Sequence, residues 1–99
     1  MIGTDDLIHP GEILLEEFMR PIGLSQNRLA MALSVPVNRI NAVVRCKRPV
    51  TADLALRLSS YFGTSVEFWL NLQNSYDLDI ARIEMENEKR SRQQEKVLA

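Results

Sequence analysis

The sequence predicts an all-α fold of five helices, with a helix-turn-helix at its centre and a polar C-terminal extension. Three observations predict it. Apolar residues recur at helical spacing, and no stretch shows the alternation of a half-buried strand. Ser, Thr, Pro and Gly fall between the apolar stretches, where helices start and stop. Ser25 to Lys47, S-Q-N-R-L-A-M-A-L-S-V-P-V-N-R-I-N-A-V-V-R-C-K, reads as two short helices joined by a tight turn.

Residues 1–8 are expected to form an irregular arm, followed by one domain over 9–83 and a polar tail over 84–99. His9-Pro10-Gly11 opens the first helix, about Pro10 to Arg20, with Glu12 in its first turn favouring the helix dipole. Ile13, Leu14, Phe18 and Met19 form its apolar stripe, and Pro21 and Gly23 end it. Ser25 caps the second helix, Gln26 to Leu33, while Leu24 and Leu29 have the spacing of a hydrophobic staple. Pro36 suits the first turn of a third helix, about Pro36 to Arg45, where a missing N–H costs little. Thr51 caps the fourth helix, with Asp53 in its first turn, the buried stripe Leu54, Ala55, Leu58 and Phe62, and Gly63 as its stop.

The fifth helix starts near Ser65 and carries more apolar residues than one stripe holds. Phe68 and Leu72 are assigned to the domain's own core. Trp69, Tyr76, Ile80 and Ile83 are left as candidates for a homodimer interface, the alternative being that they too close the monomer core. From Glu84 to Lys96 the residues are almost all polar, so this stretch is either a helical extension or a frayed end.

The third helix has two faces. Pro36, Ile40, Val43 and Val44 share one side; Asn38, Asn41, Ala42 and Arg45 share the other, with Arg39 on the flank. The polar side offers amides and guanidinium groups and no carboxylate, which are the groups that pair with base edges and phosphates in a DNA major groove. The plain alternative is an αα-hairpin with a solvated polar face. Charge distribution shifts the balance toward DNA binding. The whole chain has 12 Lys+Arg against 13 Asp+Glu. Residues 20–57, however, hold Arg20, Arg28, Arg39, Arg45, Lys47, Arg48 and Arg57 against Asp53 alone. A basic segment coinciding with the two-helix unit is the footprint that phosphate binding needs.

Other functions find little support in the residues. His9 has no Cys or His neighbour in sequence to share a metal, and packing is its simpler role. Glu12, Glu16 and Glu17 lack a nucleophile or pocket signal and read as a solvated face, and no catalytic, phosphate-loop or cofactor-binding constellation exists, so the protein is read as a non-enzyme without a cofactor. The single Cys46 is read as an inert residue at a helix end rather than a reactive thiol. No apolar run has the roughly 20 residues of a membrane span, and the first residues lack the pattern of a secretory signal, so no membrane association and a cytoplasmic location are expected.

Three stretches carry a family resemblance: H-P-G-E-I-L-L-E-E-F, then Leu24-Ser25-Gln26 with Leu29-Ala30, then A-L-R-L-S-S-Y-F-G-T-S-V-E-F-W-L-N-L-Q-N-S-Y-D-L. Over about residues 8–80 the chain closely resembles the HigA-type antitoxins of the phage-repressor-like (XRE, lambda-repressor-like) helix-turn-helix superfamily. His9-Pro10-Gly11-Glu12 and Phe68 to Gln73 are the most specific matches. The resemblance implies a five-helix DNA-binding domain, homodimerisation, binding to double-stranded operator DNA in its own promoter, and neutralisation of a RelE-like mRNA-cleaving toxin protein. It places Gln26, Val37, Asn38, Arg39, Asn41 and Ala42 at or near the bases, and Arg45, Lys47 and Arg48 at phosphates. Three departures stand out: Ser34 where the turn usually has Gly, Pro36 in place of a Ser/Thr-type cap, and Cys46 where Gly is common. Two rival readings remain at this point, a free-standing regulator without a toxin and a toxin-binding module that has lost DNA binding.

Overall fold

A computed structural model describes the backbone of residues 3–98 and the side chains of residues 3–93. Its elements are helical, with no strand among the described residues. After a single 3-10 turn at Thr4–Asp6, helix α1 begins at Pro10–Ile13, widens into a π turn at Leu14–Met19 and closes in a 3-10 turn at Arg20–Ile22. Then come α2 (Gln26–Leu33), α3 (Val37–Val44), α4 (Ala52–Phe62) and α5 (Val66–Leu98). The wide turn in α1 brings Leu14 and Met19, five residues apart, into the core together.

Local chemistry sets the boundaries. Ser25 Oγ accepts from Arg28 N at 3.1 Å, Thr51 Oγ1 from Leu54 N at 3.2 Å and Ser65 Oγ from Phe68 N at 3.1 Å, each satisfying a first-turn amide that the helix leaves open. Helix α3 departs from the expected start. Pro36 is extended, at φ −63° and ψ 143°, and serves as an N-cap without a side-chain bond; the helix proper begins at Val37, and Arg45 caps its far end. Ser34 and Cys46 both take left-handed backbone, φ 58° and 63°, to end α2 and to turn after α3. Glycine tolerates that conformation and a side chain strains it, so Ser34 and Cys46 each carry local backbone strain.

The core gathers Leu14, Met19, Leu29, Leu33, Ile40, Val43, Leu54, Leu58 and Trp69 from all five helices. Phe18, Phe62, Phe68 and Trp69 pack ring against ring, with Phe18 4.9 Å from Trp69 and 5.1 Å from Phe62 between centroids. Leu72 packs on the core as expected, but Phe68 stays exposed at its edge, which corrects its assignment to the core. Trp69 is fully buried, and its indole N–H donates to Thr64 Oγ1 at 2.7 Å. The placement of Trp69 among interface candidates is therefore corrected. Helix α5 lays Trp69 and Gln73, four residues apart, against the body, with Val66 half-buried beside them. Tyr76, Ile80 and Ile83 continue that same stripe toward the domain's edge and are only half-buried, while Leu78 and Met85 are exposed.

The stretch from Glu84 onward is helical to Leu98, an unbroken extension of α5 rather than a frayed end; Ala99 and Met1–Ile2 lie outside the described residues. At about 1.5 Å per residue, the 33 residues of α5 account for most of the molecule's 58 Å length against a girth of 22 Å.

Candidate nucleic-acid interface

The candidate surface is built on two adjacent helix starts. Ser25, Gln26 and Asn27 from α2 and Val37, Asn38 and Asn41 from α3 line one shallow, open depression. Within it Asn41 Nδ2 donates to Gln26 Oε1 at 3.1 Å. That bond fixes both amides and leaves the Gln26 amide N–H groups and the Asn41 carbonyl oxygen, a donor beside an acceptor, unused within the pair. Asn38 and Val37 are exposed alongside, and Ala42 is half-buried one turn further on. Asn27 was not among the residues expected here. Its position at the start of a capped helix, next to Gln26, was the available signal.

The basic residues flank this depression. Arg45, Lys47 and Arg48 are exposed, and none has an ion-pair partner among the described residues. Their loop is anchored at both ends. Ala42 O accepts from Lys47 N at 2.8 Å and Arg48 N at 3.3 Å. The buried Gln73 accepts from Val50 N at 2.7 Å and donates to Asp77 at 2.8 Å. One α5 amide therefore satisfies a buried loop N–H that would otherwise be orphaned.

Arg39 does not join the reading surface. Its Nη1 donates to Asp53 Oδ2 at 3.0 Å and its Nη2 to Thr51 Oγ1 at 2.9 Å, so the guanidinium is spent on the start of α4. This corrects its assignment as a base-reading residue. The flank position of Arg39 on α3 faces α4, and no sequence period could show that. Arg57 shares Asp53, with Nε 3.2 Å from both carboxylate oxygens, and its Nη1 donates to Leu33 O at 2.7 Å. Arg57 and then Arg39 hold the Asp53 carboxyl below its ordinary pKa by hydrogen bonding.

The remaining titratable candidates are structural. His9 is buried; Nδ1 accepts from Gly11 N at 2.9 Å, capping α1, and the ring meets Tyr76 edge-on at 4.8 Å. Burial lowers its pKa, opposed by the smaller influence of Glu12 and Asp77. The Cys46 thiol has its pKa raised, chiefly by burial and then by Glu12, so it stays protonated and a poor nucleophile near neutral pH. No cluster of metal-ligating side chains occurs among the described residues, and none of their helices is long and apolar enough to cross a membrane.

Known proteins share this architecture. A helix-turn-helix family model matches residues 15–69. The chain is 57% identical over 74 residues to virulence-associated protein I of Dichelobacter nodosus, covering 75% of this chain and 68% of that one. It is 41% identical over 85 residues to the uncharacterised helix-turn-helix transcriptional regulator YbaQ of Escherichia coli K12, covering 86% and 72%. Among solved structures, the Pseudomonas aeruginosa antitoxin HigA with the higBA promoter superposes with a TM-score of 0.79 at 44% identity, covering 82% of this chain and 88% of that one.

Proposed function

We propose that this chain, which belongs to the HigA-like branch of the helix-turn-helix family of DNA-binding regulators, is an antitoxin that binds its own operator as a homodimer, represses its operon and neutralises a RelE-like mRNA-cleaving toxin. The family is one of DNA-binding proteins and not of enzymes.

The observation that carries the DNA reading is the paired Gln26–Asn41 amides in an open depression flanked by Arg45, Lys47 and Arg48. A donor beside an acceptor complements the major-groove edge of adenine, which presents N7 as acceptor and its N6 amino group as donor. The exposed Val37 offers an apolar contact for a thymine methyl. The three basic residues after α3 supply sequence-independent phosphate contacts. The antitoxin reading is supported by the likeness to HigA; the toxin's chemistry rests on the family resemblance.

The test is retardation of the DNA upstream of the chain's own gene, measured across a salt series for the wild type and Lys47→Ala. A phosphate-contacting Lys47 makes Lys47→Ala bind all sequences more weakly and reduces the salt slope by about one unit. A sequence-selective loss with an unchanged slope contradicts the assignment. The likeness to a protein named only as a transcriptional regulator favours one alternative, a regulator without a toxin. Co-expression with the product of a small adjacent gene separates the two: rescue of growth from that product supports the antitoxin, and its failure leaves the regulator.

A further inference from the structure

We propose that Arg39 acts on DNA indirectly: locked onto Thr51 and Asp53, it sets the pose of α3 against α4, with Asp53 and Arg57 as further positioning residues of the same device. The proposal rests on the operator-binding reading above.

The start of α3 is where a recognition helix meets base edges, and here that end is weakly held by local chemistry. Pro36 supplies no side-chain cap, and α3 is only 8 residues long. Arg39, in its first turn, provides the missing anchor from outside the helix. Its planar fork spans two acceptors on α4, the capping hydroxyl of Thr51 and the first-turn carboxylate of Asp53. Asp53 also accepts from Arg57, and Arg57 reaches Leu33 O, the last residue of α2 before the left-handed turn at Ser34. A chain of hydrogen bonds therefore runs from the end of α2 through α4 to the start of α3, the two helices whose relative angle defines the reading surface.

Magnitudes separate positioning from plain stabilisation. The Arg39 and Asp53 side chains are 27% and 53% exposed. Pairs that accessible contribute little to folding stability, so the variants are expected to stay folded. Loss of the anchor lets the first turn of α3 drift, and operator affinity falls by no more than the anchor contributes to holding that pose.

The experiment measures affinity for operator and for random duplex across a salt series, with Arg39→Ala, Arg39→Lys, Asp53→Asn and the double variant Arg39→Ala/Asp53→Asn. Thermal melts check that each is folded. Arg39→Ala and Asp53→Asn should each lower the operator-to-random ratio by about two- to fivefold, the most that an anchor of that exposure can contribute to holding the pose. The double variant should lose no more than Arg39→Ala alone. Arg39→Ala should keep the wild-type salt slope. Arg39→Lys should behave like Arg39→Ala, because a single ammonium cannot span both acceptors as the fork does.

A slope reduced by about one unit in Arg39→Ala, with Arg39→Lys near wild type, would make Arg39 a phosphate contact and overturn the proposal. So would a loss confined to one base pair that Asp53→Asn does not share. A wild type without operator preference sinks the operator-binding reading, and this proposal with it; a wild type that prefers its operator while Arg39→Ala loses slope sinks this proposal alone.

Discussion

The carbonyl oxygen of Val43 fills the place where a side chain on Gly11 would begin: a β-carbon there would lie 1.8 Å from it. Helix α1 rests its first turn directly on the last turn of α3, and this contact fixes the back of α3 to the body. Gly11→Ala cannot be accommodated by moving a flexible side chain, because the obstacle is backbone. It should destabilise the fold by about 1–3 kcal/mol or more, lowering the melting temperature by roughly 4–8 °C per kcal/mol. An unchanged melting temperature would show that α1 can lift away from α3.

Gln26 and Asn41 form one unit, so their removal should not be additive. Each alanine variant should weaken operator binding by about 1–3 kcal/mol. The double variant should fall short of the sum by about 0.5 kcal/mol or more, the coupling expected for contacting residues. Affinities from titration of a fluorescent operator settle it; strict additivity would mean that the two amides read DNA independently.

His9 makes stability depend on pH. Burial lowers its folded-state pKa below the ordinary value of 6.5, so the unfolded chain binds more protons in the window between the two. The stabilisation is therefore fully present above pH 6.5 and is lost as pH falls from there toward the folded value. Protonation also removes the Nδ1 acceptor that caps Gly11 N. Denaturation midpoints from pH 7.5 to 5 should fall for the wild type more steeply than for His9→Asn, which keeps a capping oxygen without titrating. A ring that titrates at or above 6.5 by NMR would refute this account.

Ile80 lies on the outer end of the stripe that begins at Trp69, half-buried in the single chain. If two copies meet through this part of α5, Ile80→Asp places an uncompensated charge in the contact. The expected product is a folded monomer with weak operator affinity, since two recognition helices must sit about 34–36 Å apart on successive grooves. Sedimentation velocity at tens of micromolar, with a melt as the folding control, is the measurement; an intact dimer in Ile80→Asp would move the interface elsewhere.

Where the helices lie and where positive charge gathers can be read from the residues in order. Ser25, Thr51 and Ser65 mark starts, and Gly23 and Gly63 mark stops, because capping is a local exchange between a side chain and amides two or three residues away. The polar face of α3 was legible for the same reason: helical period alone tells which residues share a side. Tertiary structure decided what each face meets. Period grouped Trp69 with Ile80 but could not say how far along α5 the domain's body extends; Trp69 is fully buried and Ile80 only half-buried. It put Arg39 on a flank but not opposite Asp53, a partner fourteen residues away. Nor could it show that Gln73 would satisfy Val50 N, or that Gly11 would touch the Val43 carbonyl. These pairings depend on the angles at which whole helices dock, and those angles follow from the shape of the shared core rather than from any one stretch of chain.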